Sequence, residues 1–80
     1  MADGYANRGA CWFNSGKPEK GLKDIERAAR LAPSHAPFHA SRAGMLWNMG
    51  RTDEARKAAN RAVKLDPSLV GPLAPILDSR

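Results

Sequence analysis

The chain contains one cysteine, Cys11, in 80 residues. A lone cysteine cannot close an intrachain disulfide, and it excludes a metal cluster built on several thiolates. Long apolar runs are also missing. None approaches the roughly 20 residues of a membrane span, so no membrane insertion is expected. The start of the chain lacks the basic stretch and apolar core of a secretory signal, which makes a cytoplasmic setting the default expectation. Acid is scarce relative to base. Eight Asp and Glu face thirteen Lys and Arg, a formal net charge of +5, and that excess points to acidic partners. A domain this short buries a modest share of its surface and is marginal without a staple or a partner.

The punctuation is helical. Glycine and proline sit at intervals rather than in a low-complexity tract, which argues against disorder. Apolar and small residues recur at helical spacing over four segments. Residues 4–15 place Tyr5, Gly9 and Trp12 on one stripe, and Ala6, Ala10 and Phe13 beside it. Cys11 lies within that run and is expected to be a small buried hydrophobe. Gly16 stops the segment. Pro18 suits the opening of the second, 18–31, because the first helical amide has no partner to lose. Its inner face is Leu22, Ile25, Ala28 and Ala29. Pro37 is placed to open a third helix, 37–49, which Gly50 stops. In the fourth, 52–65, Thr52 is the expected N-cap, and Asp53 and Glu54 complement the helix dipole. The tail carries Leu69, Val70, Leu73, Ile76 and Leu77, and Gly71-Pro72 can open a short fifth helix with Pro75 in its first turn.

The chain also repeats itself. Aligned without gaps, residues 2–35 and 36–69 share eleven identical pairs: Ala2/Ala36, Ala6/Ala40, Arg8/Arg42, Asn14/Asn48, Gly16/Gly50, Lys23/Lys57, Arg27/Arg61, Ala28/Ala62, Leu31/Leu65, Pro33/Pro67 and Ser34/Ser68. A 34-residue period with two helices per unit resembles the tetratricopeptide repeat, TPR. The first unit offers Tyr5, Arg8, Gly9, Trp12, Gly21, Ile25 and Pro33 to that pattern. The second offers His39, Arg42, Ala43, Leu46, Ala55, Ala59 and Pro67. The resemblance implies an all-α fold of antiparallel helix-turn-helix repeats, an α-solenoid of two repeats (2–35 and 36–69) with a capping tail, 70–80.

One departure from the family pattern occurs twice in phase. A semi-buried leucine is replaced by Arg8 and by Arg42. A buried guanidinium needs an acceptor. Asp24 on the second helix is the expected partner, and Asn7-Arg8-Gly9 with Asp24 resembles a pairing found in some members. Ala58 stands at the corresponding place in the second unit, so Arg42 is expected to share Asp24.

The resemblance also implies a concave groove, lined by the first helix of each unit, that holds an extended peptide. Here it would carry Asn7, Ala10, Phe13 and Asn14, then Ser41, Gly44, Trp47 and Asn48. Asparagine amides can pair with a peptide backbone, and large aromatics suit apolar side chains. The carboxylate clamp of chaperone-binding members is not matched: its lysine and asparagine positions fall on Ala6, Ala10 and Ser41.

Other chemistry finds little support. His35 and His39 have i,i+4 spacing, but Pro37 lies between them and no third ligand of matching type is near. Cys11 and a histidine lack an orienting third group and an oxyanion hole at any recognisable spacing. Neither an enzyme nor a cofactor is expected. Lys20, Lys23, Arg27 and Arg30 on the second helix, and Lys57, Arg61 and Lys64 on the fourth, form a basic ridge. No aromatics interleave with it, which argues against RNA. The expected function is a protein–protein interaction module binding a peptide or partner helix. A structural self-association unit that forms a homo-oligomer, or a fragment of a longer TPR protein, is the first alternative. A nucleic-acid adaptor is the second.

Overall fold

The structure is a computed structural model that describes residues 1–79. Among these residues five α-helices follow one another: α1 (Ala2–Asn14), α2 (Pro18–Leu31), α3 (Ala36–Asn48), α4 (Thr52–Leu65) and α5 (Val70–Leu77), the last entered through a single 3-10 turn at Pro67–Leu69. No strand occurs among the described residues. Short links make neighbours antiparallel. α1 packs on α2 and α3 on α4, and the two hairpins join where α2 meets α3.

Both hairpin turns use the same device. Gly16 and Gly50 adopt φ of +84° and +79°. Lys17 N–H returns to Trp12 C=O and Arg51 N–H to Leu46 C=O, each at 2.9 Å. Gly16 and Gly50 N–H bond Phe13 and Trp47 C=O. This is a Schellman closure, which satisfies helix-end carbonyls and needs a left-handed residue that glycine supplies without a Cβ penalty.

The hairpins differ in how closely their helices cross. In the first, a Cβ placed on Gly21 would stand 2.6 Å from the Gly9 carbonyl oxygen, and one on Gly9 2.8 Å from the Gly21 carbonyl oxygen. Backbone meets backbone there, so only glycine fits. The second hairpin carries Ala43 and Ala55 at these positions, both wholly buried. A methyl layer separates α3 from α4 where nothing separates α1 from α2.

The core is thin. Ile25 and Leu46 are its largest fully buried side chains, joined by Leu22, Phe38 and Met45, and the α4 contribution is Ala55, Ala58, Ala59 and Ala62. Such a face buries little apolar area. α5 covers it: Leu73 and Ile76 are buried against α4 and α3, and Leu69 and Leu77 pack at the edge. Arg56 ties the end of the chain down, its Nε donating to the Ser79 carbonyl at 2.9 Å.

Three local expectations need correction. Thr52 is not the N-cap of α4. Arg51 occupies that position, and its guanidinium grips Glu54 with two hydrogen bonds of 2.9 Å. α5 starts at Val70, so Pro75 lies inside the helix; the Gly71 carbonyl that it deprives of a donor is on an exposed residue, open to solvent. Cys11 is exposed. α1 is covered by α2 on one side only, and Gly9, not Cys11, points into that contact.

Candidate functional site

Helices α1 and α3, the first of each hairpin, carry the groove set. Asn7, Ala10 and Asn14 on α1 and Ser41, Trp47 and Asn48 on α3 are exposed, and Gly44 is partly so. Phe13 is half-buried against the core. Its counterpart Trp47 is 39% exposed, and the other large hydrophobics exposed to this degree are Met1, Leu31, Leu65 and Val70. Trp47 is therefore the most exposed of the tryptophan, tyrosine and phenylalanine side chains. Asn48 Nδ2 donates to the Gly44 carbonyl one turn back at 2.9 Å. That bond fixes the amide plane and directs the remaining acceptor away from its own helix.

The arginines resolve differently in the two units. Arg8 donates to Asp24 through Nε (2.7 Å, Oδ2) and Nη2 (2.9 Å, Oδ1), a bidentate pair. Arg27 adds a looser contact at 3.6 Å. Asp24 is 3% exposed, whereas the Arg8 side chain is 55% exposed. The acid, not the guanidinium, is the buried partner. Arg8 and Arg27 also lie over the Tyr5 ring, 5.5 and 5.7 Å from its centroid. The hydrogen bonds from Arg8 hold the Asp24 carboxyl below the ordinary carboxylate range, against burial, which acts the other way.

Arg42 does not share Asp24. It reaches Glu26 instead, through one Nε contact of 3.3 Å. Asp24 points toward α1 and is occupied there, whereas Glu26, two residues on, is turned toward α3. His39, the counterpart of Tyr5, is buried, and its Nε2 donates to the Pro33 carbonyl at 2.8 Å. The His35 ring lies 4.3 Å from that of Phe38. The two histidines thus serve packing and a backbone bond, and the described residues hold no group of three or more metal-ligating side chains.

Two features escaped the sequence reading. Lys17 and Lys20 stand over the Trp12 ring at 5.6 and 4.7 Å, a contact made across the turn that no helical spacing announces. The second is a hollow of about 450 Å³ where α2, α3 and α4 meet, lined by Glu26, Arg30, Pro33, His39, Arg42 and Arg61. Arg61 was legible only as part of the basic ridge.

Models of the tetratricopeptide repeat match residues 2–35 and 36–69, the same units that the internal comparison delimits. The chain belongs to the tetratricopeptide-repeat family. No curated protein matches it. TPR units are in general protein–protein interaction modules and non-enzymatic scaffolds. No helix among the described residues is long and apolar enough to cross a membrane.

Proposed function

We propose that this TPR chain acts without catalysis, as an adaptor that takes a peptide or a partner helix on the face shared by α1 and α3. The observation that carries this reading is the exposed Trp47 beside the oriented Asn48 amide. A rigid aromatic next to a polar group of fixed direction is the composition of a binding anchor. The excess of basic charge favours an acidic partner. The test is capture of partners from a peptide library, followed by titration in a Trp12→Phe background so that Trp47 alone reports. Binding is expected to shift Trp47 emission, and Trp47→Ala is expected to weaken affinity at least tenfold with the helical circular dichroism unchanged. A folded Trp47→Ala chain that binds the same peptide undiminished would remove this face from the account.

Self-association is the second reading. Leu65 and Val70 remain 39% and 47% exposed near the last turn of the array, where a further unit or a second copy could pack. Sedimentation across a hundredfold concentration range separates a monomer from a homo-oligomer.

A further inference from the structure

The hollow between α2, α3 and α4 is lined by Arg42 and Arg61, the second unit's counterparts of Arg8 and Arg27 in the Arg8–Asp24 site of the first. Tyr5, Arg8 and Arg27 become His39, Arg42 and Arg61 thirty-four residues on. The basic groups persist, but the acid does not: Asp24 becomes Ala58. In the first unit one buried carboxylate receives both arginines. In the second, Arg42 has a single 3.3 Å contact to Glu26, and among the described residues its Nη groups make no hydrogen bond and Arg61 makes no ion pair. Arg30 from α2 joins them around the same hollow, also without an ion pair among the described residues.

We infer that this hollow is an anion site, and that its ligand is a phosphomonoester carried on a partner peptide. Three arginines against Glu26 leave the lining with a charge of +2, from +3 and −1. A phosphomonoester carries about −1.5 to −2 at pH 7 and three strong acceptor oxygens. A carboxylate would neutralise only half of that charge. Guanidinium groups are suited to this because their planar forks bond phosphate oxygens in pairs. Arg42 can contribute without releasing Glu26, since only its Nε is engaged. RNA also presents phosphates, but as singly charged diesters, and the lining contains no tryptophan, tyrosine or phenylalanine on which a base could stack. This site lies apart from the α1/α3 face and does not depend on it.

The test follows the arginine Nε–H resonances of the full chain by NMR, at constant ionic strength. The probes are inorganic phosphate, O-phosphoserine within a short neutral peptide, acetate, and an oligouridylate. Saturable shifts confined to Arg30, Arg42 and Arg61 are expected with phosphate and with the phosphopeptide, the latter binding more tightly, and not with acetate. Arg61→Gln is expected to weaken phosphopeptide binding at least tenfold, whereas Lys20→Gln on the Trp12 side is expected to leave it unchanged. Ala58→Asp restores the missing acid and is expected to abolish binding; if that variant does not fold, Arg61→Gln and Arg30→Gln carry the test. Equal shifts with acetate, undiminished binding in Arg61→Gln, or preference for the oligouridylate would each overturn the inference.

Discussion

The same substitution, glycine to alanine, should have opposite signs at two helical positions of this chain. At Gly44 an added Cβ meets nothing within 4 Å. The only consequence there is the relief of glycine's excess backbone entropy, so Gly44→Ala is expected to stabilise by about 0.5–1 kcal/mol. At Gly21 the same entropic gain is available, but the Cβ would lie 2.6 Å from the Gly9 carbonyl oxygen, 3.0 Å from the Phe13 amide nitrogen and 3.1 Å from its Cβ. The first two are backbone atoms of a packed helix and cannot step aside singly. α1 and α2 must separate, and the cost includes the loss of packing along the whole seam. Overpacking of this kind costs about 1–3 kcal/mol, occasionally more. The steric term therefore wins, and Gly21→Ala is expected to lose about 1–2 kcal/mol net. In a domain of this size 1 kcal/mol moves Tm by about 4–8 °C. Urea unfolding followed by circular dichroism separates the two outcomes, with an unchanged m-value confirming that stability alone has changed. A Gly21→Ala chain as stable as the parent would mean that α1 does not lie as close to α2 as the crossing requires.

Two other perturbations follow from the packing. Asp24→Asn is expected to cost about 1–2 kcal/mol at neutral pH, because one end of a bidentate charged hydrogen bond is lost while Arg8 remains free to turn to solvent. The depressed Asp24 carboxyl means that the unfolded chain binds more protons in acid, so its contribution is complete above the ordinary carboxylate range and disappears as pH falls through the lowered value; the parent should lose more stability below about pH 4 than Asp24→Asn does. Leu73→Ala and Ile76→Ala are each expected to cost about 2 kcal/mol, since both are buried where α5 covers the alanine face of α4. Unchanged urea midpoints in both would show that the tail covers nothing.

The fold was legible because its signals are local and return at a 34-residue period. Gly16 and Gly50 mark the two Schellman turns, Pro18 opens α2, and the small residues fall where helices cross. A periodic stripe shows which side of a helix faces inward. It does not show how close the neighbour comes, and so Gly9–Gly21 and Ala43–Ala55 looked alike in sequence although one crossing is closed to a methyl group and the other is built on it. The exposure of Cys11 was missed for a related reason. Its run is apolar enough for burial, but among the described residues α1 packs chiefly on α2, and Cys11 lies off that contact, which the run alone does not show.

The arginines show where such reading stops. Arg8 and Arg42 occupy the same register, and the choice of acceptor for each depends on the helix in front of it. Arg8 has Asp24 within its own hairpin. Arg42 faces the back of the preceding hairpin, where α2 presents Glu26. Residue type and spacing gave the need for an acceptor but not its identity, because the interface between units is set by the rotation of one hairpin on the next. The same rotation leaves Arg61 and Arg30 lining one hollow, without the acid that the first unit supplies. The two arginines of the first repeat share one buried acid; their counterparts in the second lack it, and their charge is left to salt or to something that the second repeat binds.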